Sequence, residues 1–228
     1  MKIKIGRKYV TAFFATTLIT LLPGKESIAS NLINNGGFEV VDYIGNYTTY
    51  DSITVPNEFD WSISNDFVYL VNSYWSGVSG TTNPDGFDQS LELTPNAILS
   101  QQFTTQAGQE YELSFWYAHD PDNQQGYARG NVNVQGNNLL YSKTLLHDIP
   151  SSLTDLKFLE YTAQFTADSN TTTLSFQGNP LNGPHGFVID DISVVQASKK
   201  VPEPAIEFSL LIFGALGIGF LRQRKPTI

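Results

Sequence analysis

The middle of the chain is filled with short runs in which apolar and polar residues alternate. In the clearest run, residues 109–117, Tyr111, Leu113 and Phe115 share one face and the residues between them share the other. A period of two residues is typical of a β-strand with one buried face. Eight further runs have this character: 67–72, 89–93, 97–103, 130–135, 139–143, 156–166, 171–177 and 186–195. We therefore expect a chain of strands, because residues 30–196 show no helical period.

Turn-forming residues separate these runs. Clusters rich in Asn, Asp, Gly and Pro occupy 83–86, 106–108, 120–123, 135–138 and 179–180. Such residues favour the backbone angles of tight turns. Short strands separated by such turns predict an all-β fold, a two-sheet antiparallel jelly-roll sandwich.

Residues 30–198 are strongly acidic, and their length fits one β jelly-roll domain. They contain three basic residues, Arg129, Lys143 and Lys157, against 19 acidic ones, a formal charge of −16, whereas the whole chain carries −9. A domain of this charge repels phosphate backbones, so nucleic acid is excluded as a partner. The chain has no cysteine, which excludes disulfides and thiolate metal sites.

The N-terminus has the three parts of a secretory signal peptide. Four basic residues lie within the first eight positions, residues 9–22 are mostly apolar, and Ser27 and Ala29 are the small residues of a cleavage site. We therefore predict that residues 1–29 are a signal peptide and that the protein is secreted across the inner membrane. The mature chain then begins near Ser30, and an uncleaved anchor is the alternative.

Residues 199–228 form a tail of different composition. It holds the motif Val201, Pro202, Glu203, Pro204, Ala205, then a predicted transmembrane helix over 206–221, then a basic end over 222–225 with Arg222, Arg224 and Lys225. The apolar run 208–221 has 14 residues, or roughly 21 Å of helix against about 30 Å of hydrocarbon, so it is a marginal anchor. The alternative is a buried C-terminal helix, which apolar residues on every face disfavour.

The order of these parts in residues 201–225 resembles the PEP-CTERM sorting signal of Gram-negative and cyanobacterial surface proteins. The resemblance implies processing by an exosortase-type membrane protease, with the secretion machinery as a further partner. It also implies that contact with the membrane through the C-terminal helix is transient. The protein is then expected at the cell surface or in the extracellular matrix, membrane-anchored before processing.

Several segments together resemble the galactose-binding-like jelly rolls of bacterial choice-of-anchor surface proteins and of some carbohydrate-binding modules. The matching segments are 34–39, 90–93, 99–105 with Gly108, 111–115 and 186–194. Their order and spacing fit over nearly all of residues 31–195. The resemblance implies the fold first, and extracellular polysaccharide as the ligand second.

The same resemblance implies a structural calcium ion between the opening and closing segments. Glu39 and Asp190 stand at the corresponding positions. Calcium combines carboxylates with backbone carbonyls, which the turn around Gly36 and Gly37 supplies. The alternative is that both carboxylates bond backbone amides where the first and last strands meet.

Alternation adds an expectation about the closing strand. It places Asp190 on the inward side with Val188, Ile192 and Val194, where a carboxylate needs a partner, and turns Asp191 the other way.

The segment from Asp120 to Gly126 looks superficially like a calcium loop. The glycine stands at the seventh position instead of the sixth, and Asn131 replaces the bidentate glutamate at the twelfth. We therefore interpret the segment as a solvated loop between strands.

Aromatic side chains are the candidates for binding a sugar, because their rings stack on the apolar face of a pyranose. Trp116 is the first candidate, since it points away from the apolar face of its strand and shares its side with Glu112. Tyr74 and Trp75 in a Ser-Gly-rich loop and Tyr127 beside a basic residue follow. The alternative is packing, with Trp75, like Trp61, as a core or rim residue and Trp116 as a core residue.

The sequence contains few of the residue patterns that are typical of a catalytic site. His119, His147 and His185 have no metal-ligand spacing, and neither a Gly-x-Ser-x-Gly elbow nor a phosphate-binding glycine loop occurs. We therefore expect a secreted, cell-surface binding module for carbohydrate and not an enzyme. The alternatives are a structural component of the matrix or envelope without a small ligand, and a polysaccharide hydrolase.

Overall fold

The computed structural model describes residues 30–41, 43–75, 77–78, 88–183 and 185–197. The predicted signal peptide, the sorting tail with its transmembrane helix and the turn at 83–86 lie outside the described residues. Within the described part of the chain, no helix is long and apolar enough to cross a membrane.

The described residues form eleven β-strands and two short 3₁₀ helices. In chain order the strands are β1 Tyr47–Tyr50, β2 Ser62–Ser64, β3 Val68–Val71, β4 Ser90–Leu93, β5 Ile98–Thr104, β6 Glu110–His119, β7 Ala128–Gln135, β8 Leu139–His147, β9 Leu159–Thr166, β10 Thr171–Gly178 and β11 Phe187–Gln196. The 3₁₀ helices are Asn57–Phe59 and Pro180–Asn182. All nine predicted strands are present, and the structure adds β1 and β2.

The strands build two antiparallel sheets. The six-stranded sheet has the order β1-β3-β4-β11-β6-β9, and the five-stranded sheet has the order β2-β5-β10-β7-β8. Every pair of neighbouring strands is antiparallel. This two-sheet sandwich confirms the all-β fold that alternation and turn signals predict.

The main core lies between the sheets. Strand β6 contributes Tyr111, Leu113 and Phe115, all buried, from the face that alternation assigns to the interior. Phe115 packs edge-on against Phe176 of β10 in the other sheet, with ring centroids 4.9 Å apart. Burial of such side chains stabilises the sandwich by about 25 cal/mol for each Å² of apolar surface removed from water.

The outer face of the six-stranded sheet is also partly covered. There Val71, Trp75, Ala118, Leu156 and Val188 form a second apolar cluster. Trp75 and Leu156 come from the connections that follow β3 and β8. This covered region leaves two concavities on the same face of the sheet.

A β-bulge in β11 changes which residues face the main core. The register of β11 against β6 shifts after Asp190, and Asp191 takes a φ of 47°. Val188 and Asp190 therefore lie on the outer face, whereas Ile192 and Val194 belong to the main core. The prediction that Asp190 shares a side with Ile192 and Val194 is wrong, because alternation assumes an unbroken strand.

Candidate functional site

Two concavities open on the outer face of the six-stranded sheet. The first, which we call the Trp116 groove, has a volume of about 520 Å³ and is lined by Asn31, Asn35, Gly36, Gly37, Glu39, Val40, Trp116, Asp191, Ile192 and Ser193. The second, which we call the acidic cleft, has a volume of about 110 Å³ and is lined by Tyr47, Tyr69, Val71, Tyr74, Trp75, Glu92, Asp120, Asp122 and His185.

The Trp116 groove lies where the bulge of β11 runs beside Trp116 of β6. The N-terminal segment packs against this bulge, and Ile192 N donates a hydrogen bond to Gly36 O at 3.0 Å. A Cβ atom on Gly36 would collide with the carbonyl oxygen of Ile192, so glycine is required at this close approach. The bulge and the glycine together set the shape of the groove.

The asparagines of the groove are held by the backbone. Asn31 Oδ1 accepts a hydrogen bond from Val194 N at 2.9 Å, and its Nδ2 donates to Ile192 O at 3.2 Å. The amide group of Asn35 bonds main-chain groups at both its oxygen and its nitrogen. These side chains therefore fix the wall of the groove.

The predicted calcium ligands Glu39 and Asp190 are both held by backbone amides. Glu39 Oε1 accepts a hydrogen bond from Gln89 N at 2.6 Å, and Asp190 Oδ2 accepts one from Val78 N at 2.7 Å. Asp190 is 1% exposed, and burial raises the pKa of its carboxyl well above the usual range, with the charges of Asp191 and Glu39 adding to the effect. The amide partners of the alternative interpretation are therefore present.

Three oxygens surround Gly77: Gln89 O, Asp190 Oδ2 and Asp88 O lie 2.5, 2.6 and 3.0 Å from the position that a Cβ atom on Gly77 would take. Asp88 O accepts a hydrogen bond from Gly77 N at 2.8 Å, and Asp190 Oδ2 accepts the one from Val78 N. Carboxylate and carbonyl oxygens are the donor types that calcium takes. The donor types beside Asp190 therefore suit the ion that the resemblance implies.

The candidates for sugar binding on β6 lie on its outer side, as alternation predicts. Trp116 is half-buried and lines the groove, whereas Glu112 is exposed and lies outside it. Tyr127 lies in the connection between β6 and β7, where the guanidinium of Arg129 covers its ring at 4.7 Å from the centroid. The structure does not bring these three residues together.

Tyr74 and Trp75 line the acidic cleft instead. Trp75 is 3% exposed, and its Nε1 donates a hydrogen bond to Ser90 Oγ at 2.9 Å. Tyr74 Oη donates to Asp122 Oδ2 at 2.5 Å, and this bond raises the pKa of Tyr74 to about 12. Trp75 therefore packs in the second apolar cluster, and Tyr74 forms a wall of the cleft.

The acidic cleft brings together Glu92, Asp120 and His185, a group that sequence reasoning missed. Glu92 belongs to β4, Asp120 follows β6 and His185 precedes β11, and these strands are neighbours in the sheet. His185 Nδ1 lies 2.6 Å from Asp120 Oδ2. Glu92 and Asp120 are each 3% exposed, and burial raises the pKa of both carboxyls, with the charge of Asp120 raising that of Glu92 further.

The other two histidines form a buried pair. His119 Nδ1 lies 2.7 Å from His147 Nδ1, and His147 Nε2 lies 2.9 Å from the carbonyl oxygen of Lys157. A carbonyl only accepts, so His147 Nε2 carries the proton, and its Nδ1 is the acceptor in the neutral ring. His119 Nδ1 is then the donor, and burial, reinforced by His147, lowers the pKa of His119 to about 4, which favours the neutral ring there as well.

The fold defines the class of the protein, a two-sheet antiparallel β-sandwich with two concavities on the outer face of one sheet. The chain belongs to the family described as "Protein of unknown function (DUF642)", which matches residues 31–195. It is also similar to Halomucin of Haloquadratum walsbyi, with 31% identity over 202 residues. That match covers 82% of this chain and 2% of Halomucin, so the chain spans about 2% of the length of this curated relative.

Solved structures show partial likeness. A structure of a CBM4 module is 17% identical, with a TM-score of 0.42 over 72% of this chain and 99% of that one. TmCBM61 in complex with β-1,4-galactotriose is 14% identical, with a TM-score of 0.43 over 74% and 100%. The CBM22-1 xylan-binding domain of Paenibacillus barcinonensis Xyn10C is 13% identical, with a TM-score of 0.43 over 67% and 94%. Likeness at this level does not transfer a ligand to this chain.

Proposed function

We propose that this protein is secreted, is sorted to the cell surface, and binds extracellular carbohydrate through the Trp116 groove as a binding module without enzymatic activity. The groove carries the proposal, because it places an aromatic ring beside polar groups in a concavity of about 520 Å³. Sites for small ligands have about 300–1,000 Å³, with apolar and aromatic walls and a few oriented polar groups.

The chemistry of the groove matches the two surfaces of a sugar. The C–H face of a pyranose stacks on an indole ring such as that of Trp116, while its hydroxyls need hydrogen-bond partners. Asp191 and Ser193 line the same groove. Because Asn31 and Asn35 are already held by the backbone, the wall is preorganised, which lowers the entropic cost of binding.

The two ends of the sequence support the proposal that the protein is secreted and sorted to the cell surface. Residues 1–29 have the composition of a signal peptide, and residues 201–225 have the order of a sorting tail. In this proposal an exosortase-type protease removes the tail, and the domain stays at the cell surface or in the extracellular matrix. Mass spectrometry of the native C-terminus tests this step, and a terminus at Ile228 would refute it.

Glycan binding tests the carbohydrate proposal directly. We expect the purified protein to bind at least one polysaccharide on a glycan array, and Trp116→Ala to weaken that binding at least about tenfold. Tyr127→Ala is the matched control, an aromatic side chain outside the groove, and should bind as the wild type does. Equal binding by Trp116→Ala would refute the groove. A wild type that binds no glycan would favour a structural matrix component, and turnover would identify a hydrolase.

We also propose that Glu39 and Asp190 hold a structural calcium ion. The ion would neutralise two carboxylates and tie the opening segment to the last strand. A chelator should lower the Tm of the wild type by about 5 °C and leave Glu39→Gln unchanged. The exposed control Glu112→Gln should respond like the wild type. An unchanged wild-type Tm, or the same fall in Glu39→Gln, would contradict the calcium site.

A further inference from the structure

The acidic cleft holds three side chains arranged as metal ligands. One ligand atom from each of Glu92, Asp120 and His185 lies within 4.8 Å of the other two. Ligand atoms around a single zinc ion lie about 3–4 Å apart, because each is about 2.0–2.2 Å from the ion. Small side-chain rotations therefore bring the three atoms onto one ion.

The charge in the cleft is not balanced by a lysine or arginine of the described chain. The described residues include one arginine and two lysines, and all three lie outside the cleft. Arg129 covers a tyrosine ring, Lys157 belongs to an exposed ion pair, and Lys143 lies on β8 of the other sheet. His185 supplies at most one positive charge. Two carboxyl groups buried this deeply and this closely require a proton or a cation between them.

Backbone N–H groups orient both carboxylates. Gly186 N donates a hydrogen bond to Glu92 Oε1 at 2.6 Å, and Asp122 N donates to Asp120 Oδ1 at 2.8 Å. Gly186 must be glycine, since a Cβ atom there would collide with the backbone of β4. Outer contacts of this kind fix the orientation of metal ligands and raise affinity. One oxygen of each carboxylate is thus anchored, and the second oxygen of Asp120 lies 2.6 Å from His185 Nδ1, where an ion would replace the proton that the two groups share.

The ligand types select the ion. An imidazole nitrogen beside two carboxylate oxygens suits zinc or manganese, whereas calcium takes about six to eight oxygens. The side chain of His185 is 40% exposed and that of Asp120 is 4% exposed, so an ion enters from the His185 side. Three protein ligands leave at least one coordination position open toward the cleft.

We infer that Glu92, Asp120 and His185 bind one divalent cation of the zinc or manganese type at the floor of the acidic cleft. The ion takes the place of the proton between His185 and Asp120 and neutralises the buried carboxylates. The inference goes beyond the carbohydrate proposal and is independent of it, because none of the residues that line the Trp116 groove lines the cleft.

Calorimetric titration of the purified full chain tests the site. The protein is stripped of metal with a chelator, returned to excess calcium so that the Glu39 and Asp190 site is filled, and titrated with zinc or manganese chloride. We expect one ion per chain with a Kd in the micromolar range. His185→Ala and Glu92→Gln should each weaken binding at least about tenfold.

Two controls keep this test decisive. His185 is partly exposed, so His185→Ala should retain the fold, which circular dichroism verifies. Glu112→Gln removes an exposed carboxylate outside the cleft and should bind the ion like the wild type. No binding of either ion at about 1 mM, or wild-type affinity in both cleft variants, overturns the inference. No sugar enters the experiment, so its failure is distinct from failure of the carbohydrate proposal.

Discussion

The Trp116 groove and the acidic cleft lie on the same face of the same sheet, and main-chain groups hold polar side chains in both, but the side chains held differ in charge. In the groove, Asn31 and Asn35 are engaged by main-chain partners. In the cleft, Glu92 and Asp120 are buried next to each other, and His185 is their one ion-pair partner in the described part of the chain. The neutral amides of the groove are already satisfied by the backbone, whereas the buried carboxyls of the cleft retain unfavourable electrostatic free energy that a ligand can release.

The volume of a cavity and the electrostatic free energy of the groups that line it are separate properties in this protein. The groove has the larger volume, about 520 Å³ against about 110 Å³. The cleft holds an electrostatic conflict in spite of its small volume, since burial and a like charge both raise the pKa of Glu92. Conflicts of this kind concentrate at functional sites. Removing a polar group should therefore cost stability near the groove and restore stability in the cleft.

The largest effect is expected where the support of the groove is removed. Gln89 is fully buried, its Nε2 donates to Phe38 O at 2.7 Å and Val41 O at 3.0 Å, and its Oε1 accepts from Tyr43 N at 3.2 Å. Gln89→Ala breaks all three bonds, so the free energy of unfolding should fall by about 3 kcal/mol in urea denaturation. The exposed control Gln102→Ala should change it by less than about 0.5 kcal/mol. Equal effects would show that the groove has no special support.

The fold was largely predictable because it depends on short-range patterns. The strand that became β6 alternates over its whole length, and one buried face is the physical cause of that alternation. Strands β1 and β2, with the sequences Tyr-Thr-Thr-Tyr and Ser-Ile-Ser, are short and contain fewer of the aliphatic residues that make the similarly short β3 and β4 recognisable. The bulge in β11 was also hidden, because Asp191 reaches its φ of 47° only through its contacts in the folded sheet.

The two concavities differ in how far sequence predicts them. Trp116 was predictable from the alternation of a single strand. Glu92, Asp120 and His185 are far apart in the chain and meet only because β4, β11 and β6 are neighbours in the sheet. One local signal was available: Glu92 stands between two leucines in a short apolar strand, where a carboxylate is costly without a partner.

The buried pair His119 and His147 should make the stability of the protein depend on pH. Burial, reinforced by His147, lowers the pKa of His119 to about 4, and burial also lowers the pKa of His147. In the unfolded chain both titrate near pH 6.5. Stability is therefore retained above about pH 6.5 and is lost as the pH falls toward 4, because the unfolded chain takes up protons that the folded state does not.

We expect this loss to be roughly 2 kcal/mol, since each tenfold change in proton affinity corresponds to about 1.4 kcal/mol and the carboxylate of Asp148 partly opposes the effect. Urea denaturation of wild type and double variant at pH 7 and pH 5 isolates this loss, because the raised pKa values of Glu92 and Asp190 add a change of opposite sign in both proteins. The double variant His119→Gln, His147→Gln should lose the histidine contribution. If wild type and double variant showed the same pH dependence, the loss of stability would come from titratable groups other than the two histidines.

The smallest change in the free energy of unfolding is expected for Glu92→Gln, and its sign should be opposite to that for Gln89→Ala. Glu92→Gln keeps an acceptor for Gly186 N and removes a buried carboxyl whose pKa is raised to about 8, so the folded state no longer takes up a proton at pH 7 that the unfolded state does not hold. In metal-free protein at pH 7 the free energy of unfolding should rise by about 1 kcal/mol. Excess zinc should reverse the order, because the wild type gains the free energy of ion binding and the variant gains less. The exposed control Glu112→Gln should stay within about 0.5 kcal/mol. A metal-free Glu92→Gln less stable than wild type would mean that the carboxyl pair is already satisfied, and the contrast between groove and cleft would be lost.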